Sequence, residues 1–124
     1  MIVAGLGSRN GVAADAVLDA LRAAAEEYGV RLDRIGLLAT GETKAAEPAF
    51  GEAAVHLGIP LEIVGTALLR QQSVETESAA SRAATGTGSL AEAAALAAAG
   101  AGARLLGPRA VHGPVTCALA ESAS

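Results

Sequence analysis

Aromatic residues are nearly missing from this 124-residue chain: Tyr28 and Phe50 stand alone, and there is no tryptophan. No platform exists on which bases could stack, which argues against the common single-strand nucleic-acid readers. Positive charge is scarce too. Lys and Arg number 9 against 13 Asp and Glu, for a formal net charge of -4, and Lys44 is the only lysine. No basic run is available to follow a phosphate backbone. Cys117 is the single cysteine, so no intramolecular disulfide forms, and no Cys/His spacing suits zinc. No apolar stretch approaches the ~20 residues that cross a bilayer. The opening Met1-Ile2-Val3-Ala4-Gly5-Leu6 is apolar but short and lacks a basic lead, so it reads as a strand and not as a signal peptide. These absences lead to the expectation of a cytoplasmic protein with no nucleic-acid or membrane partner, no metal and no cofactor.

What remains is a chain 52% hydrophobic and 18% charged, enough for one Ala/Leu/Val/Ile core without staples. The length suits a single domain over residues 1–124. Residues 2–6 are apolar throughout, as in a central parallel strand. A glycine-bearing loop follows, then a helix over about residues 12–28, with Val17, Leu21, Ala24, Ala25 and Tyr28 on one stripe. Asp15, Asp19, Arg22 and Glu26 fall opposite, and Gly29 stops the helix. Residues 35–39 read as the second strand. A polar loop over 40–47 leads to Pro48 at the first position of the next helix, which Gly58 and Pro60 end. Residues 61–64 form the third strand, and 66–72 a short helical turn. The small, polar stretch 73–85 carries no clear pattern. Ser89 and Glu92 have capping-box spacing and open an alanine-rich helix that ends at Gly100. Segments 103–110 and 114–120, separated by Val111-His112-Gly113, read as a β-hairpin. The order implies a three-layer αβα fold with a mixed, mostly parallel sheet and a C-terminal β-hairpin.

In such a sheet ligands gather beyond the carboxyl ends of the strands. The first loop there holds Gly7, Ser8, Arg9, Asn10 and Gly11. A dinucleotide fingerprint needs its third glycine one residue earlier and an acidic residue after the second strand, and both are missing. Free N–H groups and a helix dipole still favour an anion, and Arg9 adds a carboxylate grip. A plain turn with a solvated arginine is the alternative. In the second loop Lys44 and Glu47 are three apart. Spacing alone fits a surface ion pair worth ~0–1 kcal/mol as readily as a substrate-gripping lysine. The third loop, with Gly86 and Gly88, suits an anion, but Glu92 places its own negative charge nearby. His56 and His112 read as solvated side chains, and Cys117 as a buried, inert thiol.

Four of these segments recur together in a known family. Gly5-Leu6-Gly7-Ser8-Arg9 comes first, then Lys44 and Glu47 followed by Pro48. A glycine loop before Leu90-Ala91-Glu92-Ala93-Ala94-Ala95-Leu96 is third, and Gly113-Pro114-Val115-Thr116-Cys117-Ala118 closes the series. In this order they resemble the CobE family, which also forms the C-terminal domain of CbiG. The resemblance implies a part in building the corrin ring of cobalamin. CbiG opens the ring-A lactone of cobalt-precorrin-5A and releases acetaldehyde. This chain lacks the preceding part of CbiG and so looks like the stand-alone CobE, an enzyme, a precorrin carrier or a helper of precorrin methyltransferases. The implied ligand is a precorrin or corrin carrying many acetates and propionates. The residues expected to bind it are Gly7, Ser8, Arg9, Thr40, Lys44, Glu47, Gly86, Gly88 and Glu92. Glu47 would orient Lys44, or act as base in a hydrolase. A small phosphate- or nucleotide-binding module is the reading outside this pathway. The alanine-rich helix offers a face for a homodimer.

Overall fold

The computed structural model describes residues 1–9, 11–42, 47–69 and 87–123. Its sheet is mixed and has six strands: β1 (Ile2–Ser8), β2 (Ile35–Gly41), β3 (Leu61–Val64), β4 (Arg104–Leu105), β5 (Ala110–His112) and β6 (Val115–Glu121). The spatial order is β3-β2-β1-β6-β4, with β5 also on β6. β1, β2 and β3 pair in parallel, and β6 runs antiparallel to β1 over its whole length, from Ile2 opposite Glu121 to Ser8 opposite Val115. Helices cover both faces. α1 (Ala14–Glu27) and α2 (Pro48–Leu57) enclose one core with Ile2, Ala4, Leu6, Leu38, Cys117 and Leu119. α3 (Thr87–Ala99) lies on the other face against Val3, Ala39, Ala118 and Ala120. This is the three-layer arrangement that the alternation of elements implies, and the alternate residues of β1 divide between the two cores as the pleat requires.

α1 buries the expected stripe, with Val17, Leu21, Ala24 and Ala25 inside and Tyr28 half-buried at its end. Pro48 occupies the first turn of α2, and Gly58 closes that helix at φ 72°. Residues 66–69 are helical, as expected for the start of that turn, whereas 73–85 fall outside the described residues.

Four boundaries differ from the sequence reading. β1 runs to Ser8 and β2 to Gly41, so Gly7, Ser8 and Thr40 belong to strands and not to loops. Pairing of β1 with β6 carries the first strand past the glycines that suggested a loop. α3 begins at Thr87, two residues before Ser89, so Glu92 does not close a capping box on a Ser89 N-cap. The first hairpin segment is split. Val111 and His112 are in β5 and not in the turn, which forms at Gly113 and Pro114. Between β4 and β5 the chain bulges through Gly107 and Pro108, and Leu106 still donates to the Leu119 carbonyl at 2.9 Å. Pro108 has no N–H for a ladder, and interruption of this kind is a usual device for an edge strand.

α3 lies very close to the sheet. A Cβ on Gly5 would fall against the Ala91 carbonyl, 2.7 Å from the Ala95 nitrogen and 2.9 Å from its Cβ. The helix sides that meet it are alanines, and Ala91, Ala94 and Ala95 are fully buried. The amino end of α3 lies over Gly41, where an added Cβ would meet Leu90. Its far half packs with Ala103, Leu105 and Ala120.

Candidate functional site

The parallel strands β1, β2 and β3 end at Ser8, Gly41 and Val64, and the turn that starts β6 lies beside Ser8. The amino ends of α1 and α2 follow directly from this edge, and α3 begins over Gly41. Each brings main-chain N–H groups that have no partner within the helix. α1 has Ala13 as its N-cap, and no side chain caps it there.

Arg9 leaves the end of β1 exposed to solvent, with its backbone N–H on the Pro114 carbonyl at 3.1 Å. Four other described arginines are paired: Arg22 with Asp19, Arg31 with Asp33, Arg104 with Glu121 and Arg109 with Glu92, whereas the exposed Arg34, at the amino end of β2, has no ion pair among the described residues. Among the described residues the Arg9 guanidinium has no carboxylate partner. Two carboxylates at the same edge of the sheet are already engaged. Glu47, half-buried before α2, accepts the Gly11 N–H through both oxygens, at 3.1 and 3.3 Å. Glu42, just past β2, accepts the Thr66 N–H at 2.8 Å.

Other expected residues take different places. Gly7 is buried in β1. Ser8 is 1% exposed, and its hydroxyl donates to the Arg9 carbonyl at 2.9 Å. Thr40 is fully buried and donates to the Leu6 carbonyl at 2.8 Å, which continues the β1–β2 ladder by a side chain. Glu92 is drawn away from this edge. It accepts from the Arg109 N–H at 3.3 Å and pairs with that guanidinium at 3.9 Å, a contact 17 residues along the chain. From the other face Tyr28 donates to the Pro108 carbonyl, so the bulge before β5 is held on both sides. Gly88 lies in the first turn of α3. Lys44 and Gly86 lie outside the described residues. The structure thus gathers Gly7, Ser8, Arg9, Thr40 and Glu47 at one edge and places Glu92 elsewhere.

Cys117 is buried within β6, and burial pushes its thiol up to about 12, so it is neutral and unreactive at ordinary pH. His56 is exposed at the end of α2 and His112 exposed on β5. Among the described residues no cluster of His, Cys, Asp and Glu could hold a metal ion, and no helix is long and apolar enough to cross a membrane. A cleft of about 670 Å³ opens at the opposite, amino end of β2, between Arg22, Arg31, Ile35 and His56. It shares no residue with the carboxyl-edge group.

Sequence reasoning did not find three partners: the Gly11 N–H for Glu47, Thr66 for Glu42 and Arg109 for Glu92. Each contact joins residues at least 17 apart, and no local spacing signals it.

Residues 2–120 match the family model described as cobalamin synthesis G C-terminus. Among solved structures, the chain is similar to the cobalamin biosynthesis protein chiG of Agrobacterium tumefaciens strain C58. The identity is 45%, all of both chains is covered, and the TM-score is 0.83. It is also similar to CobE, described as a protein of the cobalamin (vitamin B12) biosynthetic pathway. There the identity is 32%, with 100% of this chain and 95% of that one covered, at a TM-score of 0.87. A putative cobalamin biosynthesis protein G homolog of Sulfolobus solfataricus shares the fold, at 22% identity and a TM-score of 0.75. That alignment covers 96% of this chain and 36% of the other. No curated protein sequence matches.

Proposed function

Because this chain belongs to the cobalamin synthesis G C-terminus family and is a cobalamin biosynthesis protein of the CbiG/CobE type, we propose that it binds a precorrin or corrin intermediate through the ligand's carboxylates at the carboxyl edge of its sheet. The observation that carries this reading is the exposed guanidinium of Arg9, unpaired among the described residues, at an edge where Glu42 and Glu47 are held on main-chain N–H groups. A peripheral acetate or propionate would meet positive charge there with little competition from the protein's own acids. Charge-assisted, bidentate contacts of this kind are among the stronger polar interactions. The amino ends of α1 and α2 add to the same field. Lys44, from the connection between Glu42 and Glu47, is proposed as a second cation.

The amino-end cleft is a poorer choice for an anion, because its Arg22 and Arg31 are already paired with Asp19 and Asp33. Ser8 and Thr40 act on this reading from below, by holding the strand ends in place. The protein would work in the cytoplasm as a carrier that serves the pathway's precorrin methyltransferases. A second reading, lactone hydrolysis on the same ligands, is favoured by the presence of the Glu47 carboxylate at this edge. Turnover of a precorrin-5 intermediate with trapping of acetaldehyde separates the two.

Titration with hydrogenobyrinic acid, followed by absorbance, tests the binding site. The wild-type protein is expected to bind saturably. Arg9→Glu should weaken binding by about tenfold or more, since a hydrogen bond to a charged group contributes ~1.5–3 kcal/mol. Lys44→Ala should weaken it as well. Normal binding by folded Arg9→Glu protein would remove Arg9, and with it this site.

A further inference from the structure

We infer that Glu47 is a positioning residue, which holds the turn after β1 through the Gly11 N–H and so sets where Arg9 stands. The inference rests on the carboxyl-edge reading of the site, but it assigns Glu47 a role different from base or lysine partner.

Gly11 has φ 75°, a left-handed conformation that turns the chain sharply between Arg9 and the start of α1. Among the described residues its N–H has no main-chain partner. Glu47 supplies the acceptor, through both carboxylate oxygens, from 36 residues away. Glu47 is also the N-cap residue of α2, yet its side chain does not cap its own helix. The carboxylate therefore joins the exit of β1 to the entrance of α2. It also lies close to the amino end of α1, whose own N-cap is an alanine with no capping side chain. The Arg9 N–H is fixed to Pro114 on the other side. The short turn bearing Arg9 is thus held at two points, one on each neighbouring strand connection. A long, exposed side chain gains affinity when its backbone is already placed, because less freedom is lost on binding.

The role depends on reach and on an acceptor oxygen, and not on negative charge. Two conservative substitutions separate these demands. Glu47→Gln keeps the length and one acceptor oxygen. Glu47→Asp keeps the charge but is one methylene shorter. Both variants are titrated with hydrogenobyrinic acid, and the Gly11 amide resonance is followed by NMR without ligand. Glu47→Gln is expected to bind within about twofold of wild type. Glu47→Asp is expected to bind about fivefold more weakly, the scale of one lost hydrogen bond. The Gly11 amide proton should keep its hydrogen-bonded chemical shift in Glu47→Gln and lose it in Glu47→Asp. The reverse order, with Asp retaining affinity and Gln losing it, would overturn the inference in favour of a base or a charge partner. Equal, wild-type binding by both variants would overturn it too. Arg9→Ala, run alongside, shows which idea has failed: if it binds normally, the edge site itself is wrong.

Discussion

Gly5→Ala is a test of what the first glycine of the Gly-x-Gly segment does. A phosphate-loop reading would have this glycine make room for an anion. The structure has it make room for α3. The added Cβ would sit against the Ala91 carbonyl, 2.7 Å from the Ala95 nitrogen and 2.9 Å from the Ala95 Cβ. Two of these neighbours are main chain, so no rotamer change relieves the clash. The helix must lift by ~1.5 Å or more at the Ala91 carbonyl to restore ordinary contact distances of ~3.5–4.0 Å. Doing so loosens Ala91, Ala94 and Ala95 from the sheet, all of them fully buried. Overpacking of a tight core costs ~1–3 kcal/mol and occasionally more. Against this, replacing a strand glycine by alanine returns ~0.5–1 kcal/mol of backbone entropy. The net expectation is a loss of about 2 kcal/mol. In urea, at a slope of ~1.5 kcal/mol per M, the unfolding midpoint falls by about 1.3 M. Adding Ala95→Gly removes one of the clashing atoms, so in a double-mutant cycle the pair should cost less than the sum of the single changes. A Gly5→Ala protein as stable as wild type would refute the packing argument. Strict additivity with Ala95→Gly would show that the cost does not arise at this contact.

The remaining expectations concern buried polar groups. Thr40→Val should cost ~1–2 kcal/mol in urea unfolding, because the buried Leu6 carbonyl loses the hydroxyl that it accepts from. Hydrogenobyrinic acid affinity should be preserved in that variant, and a large selective loss of affinity would make Thr40 a ligand contact instead. Cys117 should resist thiol reagents in the native state and react once the chain is unfolded in urea. Its folded pKa is raised from 9.0 to about 12 by burial, so the native state holds this proton more tightly than the unfolded chain does. Stability should therefore be unaffected by this group below about pH 9 and should fall between pH 9 and 12, by at most ~1.4 kcal/mol per pH unit. Tyr28, also raised, first by burial and then by Glu27, acts with the same sign. A Cys117→Ala protein that keeps the whole alkaline decline would locate its cause elsewhere.

Periodicity and punctuation made the layers legible. The apolar stripe of α1, Pro48 at the start of α2, Gly58 at its end and the Leu61–Val64 strand all follow from local rules that need no knowledge of neighbours. Strand ends were harder to read, because pairing and not composition extended β1 to Ser8 and β2 to Gly41. The candidate site divides in the same way. Arg9 stood out because cations are few and this one follows a strand. The Ser89/Glu92 capping pattern does not form, because the helix starts at Thr87 and Glu92 meets Arg109, an ion-pair partner that only folding brings near. Glu47 had a visible partner at a spacing of three, yet its carboxylate is on Gly11. By itself the sequence determined the alternation of elements, the shortage of charge and the family pattern, since these depend on residue order and short-range geometry. Tertiary structure alone decided which carboxylates are already engaged, which hydroxyls are buried and which glycine admits a helix, since each depends on groups far apart in the chain meeting within a few ångströms.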